Sequence, residues 1–166
     1  YQDIMLPGLQ GNTFGANVVI SPNGRTVIYS LYNSNNGIVT MYAYDLFFEQ
    51  VLATYVIPSQ QGDYTYASLE LGASQAMFTP DSSAVAFGYL IEDDWSIVVM
   101  DLTNTPGQIL FQLNKSDPVM AGEQSSLLLM PHVNQYDGFV LDFNLIPFAT
   151  EAMPAYDHHQ YDLRTN

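Results

Sequence analysis

The sequence predicts an all-β fold made of consecutive four-stranded antiparallel sheets. Apolar residues alternate with polar ones or run in short blocks, and long helical spacing is hard to find in the 166 residues. Turn-forming residues separate these blocks about every eight to twelve positions, which is typical of all-β domains. A strand pattern found early in the chain also returns later. Together, these observations favour a repeated sheet.

The first predicted sheet extends over residues 17–57. Residues 18–20 form a short strand that ends at the Ser-Pro-Asn-Gly turn of residues 21–24, where Pro22 takes the turn position that its fixed φ suits. The other three strands are predicted at residues 25–31, 38–46 and 50–57. Their short connections predict an antiparallel meander.

The second predicted sheet extends over residues 74–113 and repeats this order about 57 residues further along. Residues 76–78 lead into Thr-Pro-Asp-Ser at 79–82, which corresponds to the earlier Ser-Pro-Asn-Gly. Residues 83–89 and 95–102 supply the next two strands, so that Asp101 falls on Asp45. Residues 108–113 supply the fourth.

A third, weaker copy extends over residues 118–152. It runs from residues 125–130 through residues 138–143, where Asp142 takes the place of Asp45 and Asp101. Gly-Glu-Gln-Ser at 122–125 replaces the turn, which predicts an irregular or terminal unit. Residues 153–166 are interpreted as the start of a further unit or a tail. A recurring four-stranded unit of about 40 to 58 residues favours the blades of a β-propeller.

These motifs resemble a known family. Ser-Pro-Asn-Gly or Thr-Pro-Asp-Ser, then a β run, a gap and a β run ending in Asp-Leu, resembles the WD-like repeat of TolB-type β-propellers. The resemblance covers residues 17–57 and 74–113 well and residues 118–152 loosely. Because closed propellers have about four to eight blades, about three blades predict a single, partial propeller. Its exposed faces would be covered by a protein partner or by the remainder of a longer chain.

Charge narrows the partners and the compartment. Seventeen acidic side chains stand against three basic ones, for a formal net charge of −14. This balance argues against nucleic acid, whose binding depends on neutralising phosphates, and against anionic lipid surfaces. The sequence contains no run of 18 apolar residues, so it predicts no membrane-spanning helix. Charged residues make up 12% of the chain, well below the roughly 25% of typical soluble domains, which favours an extracellular, cell-envelope or periplasmic protein.

Residues that usually carry chemistry form no catalytic or cofactor pattern. Cysteine is absent, which removes disulfides, Cys-zinc sites and thiol catalysis. Ser74 lacks the second glycine of a nucleophile elbow. His158 and His159 are adjacent, so their side chains would point apart in a strand, and no third ligand lies at a metal-site spacing. We therefore expect no catalytic residue, no metal site and no cofactor.

The predicted ligand face is built from loops. The resemblance to propellers implies that the connections between blades and the loops joining each second and third strand share one face. The candidate residues there are Tyr32, Tyr64, Tyr66, Glu92, Asp93 and Asp94. An acidic, aromatic surface suits a cationic segment or a sugar, and a solvated loop face without a ligand is the alternative. At most two of three consecutive acids point at one ion, so we expect no calcium dependence.

The recurring aspartates have a structural interpretation. Asp45, Asp101 and Asp142 each follow an apolar run in the predicted third strand. Short carboxylate side chains of this kind accept backbone N–H groups in turns. Trp95 opens a strand of the best-matched blade and is interpreted as a packing residue.

Three functions remain open on this basis. The leading one is a non-catalytic extracellular or envelope module for protein binding or assembly. The second is the propeller region that controls substrate access in a larger hydrolase, such as a prolyl oligopeptidase-like peptidase. The third is a glycan-active propeller that uses acids of the loop face.

Overall fold

A computed structural model describes residues 5–9, 11, 13–57, 77–91, 94–120, 126–133, 140–147 and 157–162. Within these residues, eleven strands form three antiparallel sheets. The predicted all-β fold is confirmed, and the sheets are those of a partial propeller that does not close into a ring over the described ranges.

The strands follow one another in chain order. The first sheet holds β1 (Thr13–Ile20), β2 (Thr26–Asn33), β3 (Ile38–Asp45) and β4 (Gln50–Val56). The second holds β5 (Met77–Phe78), β6 (Ala84–Ile91), β7 (Asp94–Asp101) and β8 (Ile109–Asn114). A short 3-10 helix (Pro118–Met120) precedes the third sheet, which holds β9 (Ser126–Val133), β10 (Val140–Pro147) and β11 (Asp157–Asp162). Each strand pairs with its neighbour in sequence, as in a meander.

The third sheet departs from the sequence interpretation in two places. Strand β11 pairs with β10, so residues 157–162 belong to the third sheet and do not start a further blade. Asp142 lies inside β10, opposite His132 and Gln160, whereas Asp45 and Asp101 end their strands. Asp142 is therefore not the counterpart of those two residues, because the pairing of β10 with two neighbours carries the strand five residues beyond it, to Pro147.

The first two sheets stack face to face. We call the face of a sheet that points toward the next sheet along the chain its front face, and the opposite face its back face. The front face of the first sheet and the back face of the second form one buried cluster, which includes Ile28, Val39, Met41, Tyr55, Val85, Phe87, Tyr89, Val98 and Met100. The ring of Tyr55 packs edge-on against Phe87, with 5.5 Å between centroids. The hydroxyl oxygens of Tyr55 and Tyr89 lie 3.0 Å apart, so this buried pair is hydrogen-bonded across the interface.

Two further hydrogen bonds join the first two sheets, and a backbone N–H group is the donor in each. Leu52 is the extra residue of a bulge between the pairs Ala43–Ala53 and Tyr44–Val51. Its carbonyl oxygen accepts a hydrogen bond of 2.8 Å from the N–H of Gly107, in the loop between β7 and β8. The second bond joins the turns of the two sheets, where the N–H of Asn23 donates to Oγ of Ser82 at 3.3 Å.

The front face of the second sheet meets the third sheet. Its buried cluster contains Ala84, Ala86, Trp95, Ile97, Val99, Leu113 and Met120. Strand β9 lies against β5, β6 and β7 on this side. Ala84 and Ala86 leave room for a close approach to β6, since their side chains are single methyl groups. Trp95 is fully buried here, as its interpretation as a packing residue predicts.

The back face of the first sheet is covered in part by residues 5–9, which we call the strap. Leu6 packs against the buried cluster of Val27, Tyr29, Leu31 and Tyr44. The carbonyl oxygen of Pro7 accepts a hydrogen bond of 3.0 Å from the hydroxyl of Tyr29. A side chain on Gly8 would come within 3 Å of Leu31 and of the Tyr42 hydroxyl, and its φ of +83° also favours glycine.

Substitution of Gly107 tests the junction between the first two sheets. A Cβ at this position would meet the carbonyl oxygen of Asp101 and lie 2.7 Å from the Cβ of Ala53. We expect Gly107→Ala to lower the free energy of unfolding by about 1–3 kcal/mol through overpacking, measured by urea denaturation. Gly11→Ala is the control, because a Cβ there meets nothing within 4 Å. Equal midpoints for the two variants would contradict the described junction.

Candidate functional site

The β1–β2 turn begins a set of linked turns at one end of the first two sheets, which we call the turn end. The Oδ1 atom of Asn23 accepts hydrogen bonds from the Oγ of Ser21 at 2.8 Å and from the N–H of Arg25 at 2.9 Å. The N–H of Thr26 donates to Oγ of Ser21 at 2.9 Å. Gly24 takes the positive φ of +71° that the turn requires. This network fixes the direction in which Arg25 leaves the sheet.

Asp45 joins that turn to the β3–β4 turn. Its Oδ2 atom accepts hydrogen bonds from Nε and Nη2 of Arg25 at 2.8 and 2.7 Å. Its Oδ1 atom accepts the backbone N–H groups of Phe47 and Phe48 at 2.8 and 2.9 Å. The side chain is 1% exposed. Burial alone would raise the pKa of Asp45, but the hydrogen bonds from Arg25, Phe48 and Phe47 hold it below its usual value.

Asp101 takes the equivalent place in the second sheet, with different partners. Its Oδ1 atom accepts hydrogen bonds from the N–H and the hydroxyl of Thr103 at 2.8 and 2.7 Å. Its Oδ2 atom accepts a hydrogen bond from Nδ2 of Asn104 at 2.6 Å. Ser83 stands where the first sheet has Arg25, since both carbonyls accept the N–H of the leucine after the aspartate. The predicted turn role of these aspartates is thus confirmed for Asp45 and Asp101.

Two adjacent phenylalanines protrude from the Asp45 turn. Phe47 and Phe48 are 76% and 58% exposed, and their rings stand at 80° with centroids 5.1 Å apart. The guanidinium carbon of Arg25 lies 4.8 Å from the centre of the Phe48 ring. Glu49 completes the turn with a φ of +53°, which is unusual outside glycine. The aromatic pair is therefore held in a defined position although it faces water.

Arg25 lines two clefts. The first, of about 320 Å³, is lined by both sheets, with Phe48, Leu52 and Leu102 as its apolar part and with Gln50, Thr103 and Thr105 among its polar side chains. The second, of about 480 Å³, is lined by Asn23, Gly24, Arg25, Leu46 and Phe47. The phenylalanine pair thus borders two clefts, one ring on each.

The residues predicted for the ligand face lie elsewhere or outside the described residues. Tyr32 is half-buried near the end of β2 and packs against the core between the first two sheets. Asp94 is exposed at the first position of β7. Both lie at the end of the sheets opposite the turn end. The ligand face itself stays a prediction. Tyr64, Tyr66, Glu92 and Asp93 lie outside the described residues.

Sequence reasoning missed Arg25, Phe47 and Phe48 as surface residues. A signal was present, because Arg25 is one of three basic residues and two phenylalanines directly follow the Asp-Leu of the repeat. Large aromatic residues at a turn contradict the polar composition expected there. The two phenylalanines at this turn therefore indicate an exposed aromatic surface in the sequence itself.

No group of three or more His, Asp or Glu side chains that could hold a metal ion is found among the described residues. His158 and His159 occupy adjacent register positions in β11, opposite Asn144 and Phe143. In the part of the chain that the structure describes, no helix is long and apolar enough to cross a membrane.

Comparison with known proteins supports the fold. Neither a protein-family model nor a curated protein sequence matches the chain. Among solved structures, prolyl oligopeptidase B from Galerina marginata, bound to a 35mer hydrolysis and macrocyclization substrate, matches over 92% of this chain with a TM-score of 0.51 and 10% identity. This likeness shows the fold alone. The chain spans 22% of the length of that protein.

Two further structures were found at lower similarity. The dihydro-heme d1 dehydrogenase NirN matches over 86% of this chain, with a TM-score of 0.46 and 16% identity. TolB from Acinetobacter baumannii matches over 95%, with a TM-score of 0.38 and 13% identity. The chain spans 27% and 43% of these two proteins, respectively.

The lowered pKa of Asp45 predicts a pH dependence of stability. Ionised Asp45 stabilises the folded chain above its usual pKa of 3.8, and this contribution is lost as the pH falls from there through the lowered pKa of the folded state. At neutral pH we expect Asp45→Asn to lower the free energy of unfolding by about 1–3 kcal/mol. The difference in the free energy of unfolding between this variant and the unsubstituted chain should become smaller below about pH 4.

Urea denaturation between neutral and acidic pH measures this effect. Asp101 and Asp81 also have lowered pKa values, so some dependence on pH remains in the variant. Glu49→Gln, at an exposed position of the same turn, is the control. A loss of stability for Asp45→Asn that stays the same at every pH would contradict the ionised, hydrogen-bonded carboxylate.

Proposed function

We propose that this chain is a non-catalytic binding or assembly module of an extracellular or cell-envelope protein, built on a partial β-propeller. In this proposal, a protein partner or the remainder of a longer chain completes the cover of the first sheet's back face. The observation that carries the proposal is a difference between two equivalent sheet faces.

The two back faces have the same register and different surroundings. Ile20 pairs with Val27 in the first sheet as Phe78 pairs with Val85 in the second. Phe78 packs against the core between the two sheets. Ile20 is 59% exposed. The same position of the repeat is thus covered by a neighbouring sheet in one case and open in the other.

The strap leaves other apolar residues of this face open as well. Val18 and Val56 are largely exposed, and they share the face with Ile20 because they lie across from Tyr29 and Thr40 in the strand register. Val27 and Tyr29 are buried beside them. A border of exposed apolar residues around a partly covered sheet face is typical of an interaction surface.

The composition limits the chemistry of this contact. The chain has three basic residues in 166, and the exposed border residues Val18, Ile20 and Val56 carry no charge, so the contact would be mainly apolar and backbone-mediated. Salt would then have little effect on it. The acidic surface elsewhere opposes indiscriminate association, and the low charged fraction supports an extracellular or envelope location.

A second candidate function is the propeller region of a larger hydrolase. The fold likeness to prolyl oligopeptidase B favours it, since that protein is bound to a hydrolysis substrate and this chain spans 22% of its length. This candidate requires a Ser-His-Asp domain in the full-length protein. A peptidase assay of the full-length protein, together with its complete sequence, distinguishes the two functions.

Light scattering tests the proposed assembly role. We expect the chain to have a mass above the 18.5 kDa monomer at both low and high salt, because the contact is apolar. Val18→Ser combined with Ile20→Ser should return it toward the monomer. The matched control is Ile109→Ser with Leu110→Ser, which removes similarly exposed apolar side chains from β8. A stable monomer of the unsubstituted chain in both conditions would refute self-association through this face.

A further inference from the structure

We propose that the turn end of the first two sheets docks an extended, basic polypeptide segment of a partner protein, with a Lys or Arg side chain of that segment over the ring of Phe47. This site is separate from the back face of the first sheet. The observations behind the proposal are the exposed phenylalanine pair, the two clefts beside that pair and the acidic residues around the turns.

The phenylalanine pair has the properties of an interface anchor. Asp45 holds both backbone N–H groups, and Arg25 covers one side of the Phe48 ring. The turn backbone and the Phe48 ring are thus positioned before any partner arrives, so binding does not have to order them. Aromatic residues, phenylalanine among them, are enriched in protein–protein interfaces relative to the rest of the surface.

The two clefts that Arg25 lines suit an extended chain. Their volumes of about 320 and 480 Å³ fall within the range of ligand-binding pockets. Leu46 and Phe47 supply apolar lining to one cleft, and Leu52, Leu102 and Phe48 supply it to the other. An extended segment directs successive side chains to opposite sides. Such a segment can direct an apolar side chain into the cleft lined by Leu52, Leu102 and Phe48, and its basic neighbour toward Phe47 at the other cleft.

Charge decides in favour of a basic segment. The guanidinium of Arg25 is half-exposed, and its positive charge is offset by the buried carboxylate of Asp45 at 2.7 Å. Glu49 and Asp81 are exposed in the turns of the two sheets, and the Asp101 carboxylate is held by hydroxyl, amide and backbone groups. These three carboxylates leave the turn end acidic in a chain whose net charge is −14. A basic partner is attracted to such a surface, and an acidic one is repelled.

The contact between Arg25 and Phe48 shows the chemistry that Phe47 can repeat. The face of an aromatic ring attracts a cation within about 6 Å of its centre, and the guanidinium carbon of Arg25 lies 4.8 Å from the Phe48 ring. Phe47 stands at 80° to that ring and is the more exposed of the two. Its ring face can therefore accept a cation that comes from outside the chain.

Titration calorimetry with short synthetic peptides tests this proposal. The probe is a capped peptide of alternating leucine and arginine, compared with alternating leucine and glutamate and with alternating serine and arginine. We expect the leucine–arginine peptide to bind most tightly and to bind more weakly at high salt. We expect Phe47→Ser to weaken its binding by about tenfold or more, as for an interface anchor. Phe47→Leu should have an intermediate effect, because it keeps apolar area and loses the ring.

Leu9→Ser is the matched control, because it removes an exposed apolar side chain from the strap, away from the turn end, and should leave peptide affinity unchanged. Urea midpoints verify that each variant is folded. Equal binding of the serine–arginine peptide, equal affinity of Phe47→Ser, preference for the glutamate peptide, or no binding of any peptide would each overturn the proposal. Binding of a neutral oligosaccharide, titrated in parallel, in place of the peptides would do the same. Light scattering of the unliganded chain reports on the back face separately, so the two proposals fail independently.

Discussion

A sheet that is apolar on both faces needs a cover on each side, and the rest of this structure follows from that need. In the second sheet the need is met twice, by the first sheet on the back face and by β9 on the front face. In the first sheet it is met once by a sheet and once, in part, by the strap. The fold is thus a stack in which each apolar face requires a neighbour.

The turns at one end hold this stack in register. A carboxylate at the end of a strand organises the following turn in each of the first two sheets, but the two sheets complete the arrangement differently. The carboxylate of Asp45 accepts hydrogen bonds from Arg25, whereas that of Asp101 accepts them from Thr103 and Asn104. In the first sheet, the guanidinium of Arg25 lies over the ring of Phe48, and the aromatic pair stays at the surface. The two turns therefore differ at three equivalent positions, because Arg25, Phe47 and Phe48 of the first sheet stand where the second sheet has Ser83, Thr103 and Asn104.

Much of the fold could be predicted from the sequence, because turn residues and apolar blocks mark the strands of the first two sheets. The face of each residue could not be predicted. Strand β2 is buried at six consecutive positions, so no alternation tells that Val27 faces the strap and Ile28 faces the second sheet. Asp142 resembled the turn aspartates in sequence, but its place in β10 is set by pairing with β9 and β11.

The candidate site was harder to predict, since the signal at Phe47 and Phe48 contradicts the usual polarity of turns. The strap was missed because residues 5–9 have no strand or helix periodicity. The burial of Trp95 has a different consequence. It is the only tryptophan in the chain and lies on the front face of the second sheet, so its fluorescence is an intrinsic optical label for that face. Separation of the third sheet from the second would expose the indole and shift its emission to longer wavelength, without any dye attached to this cysteine-free chain.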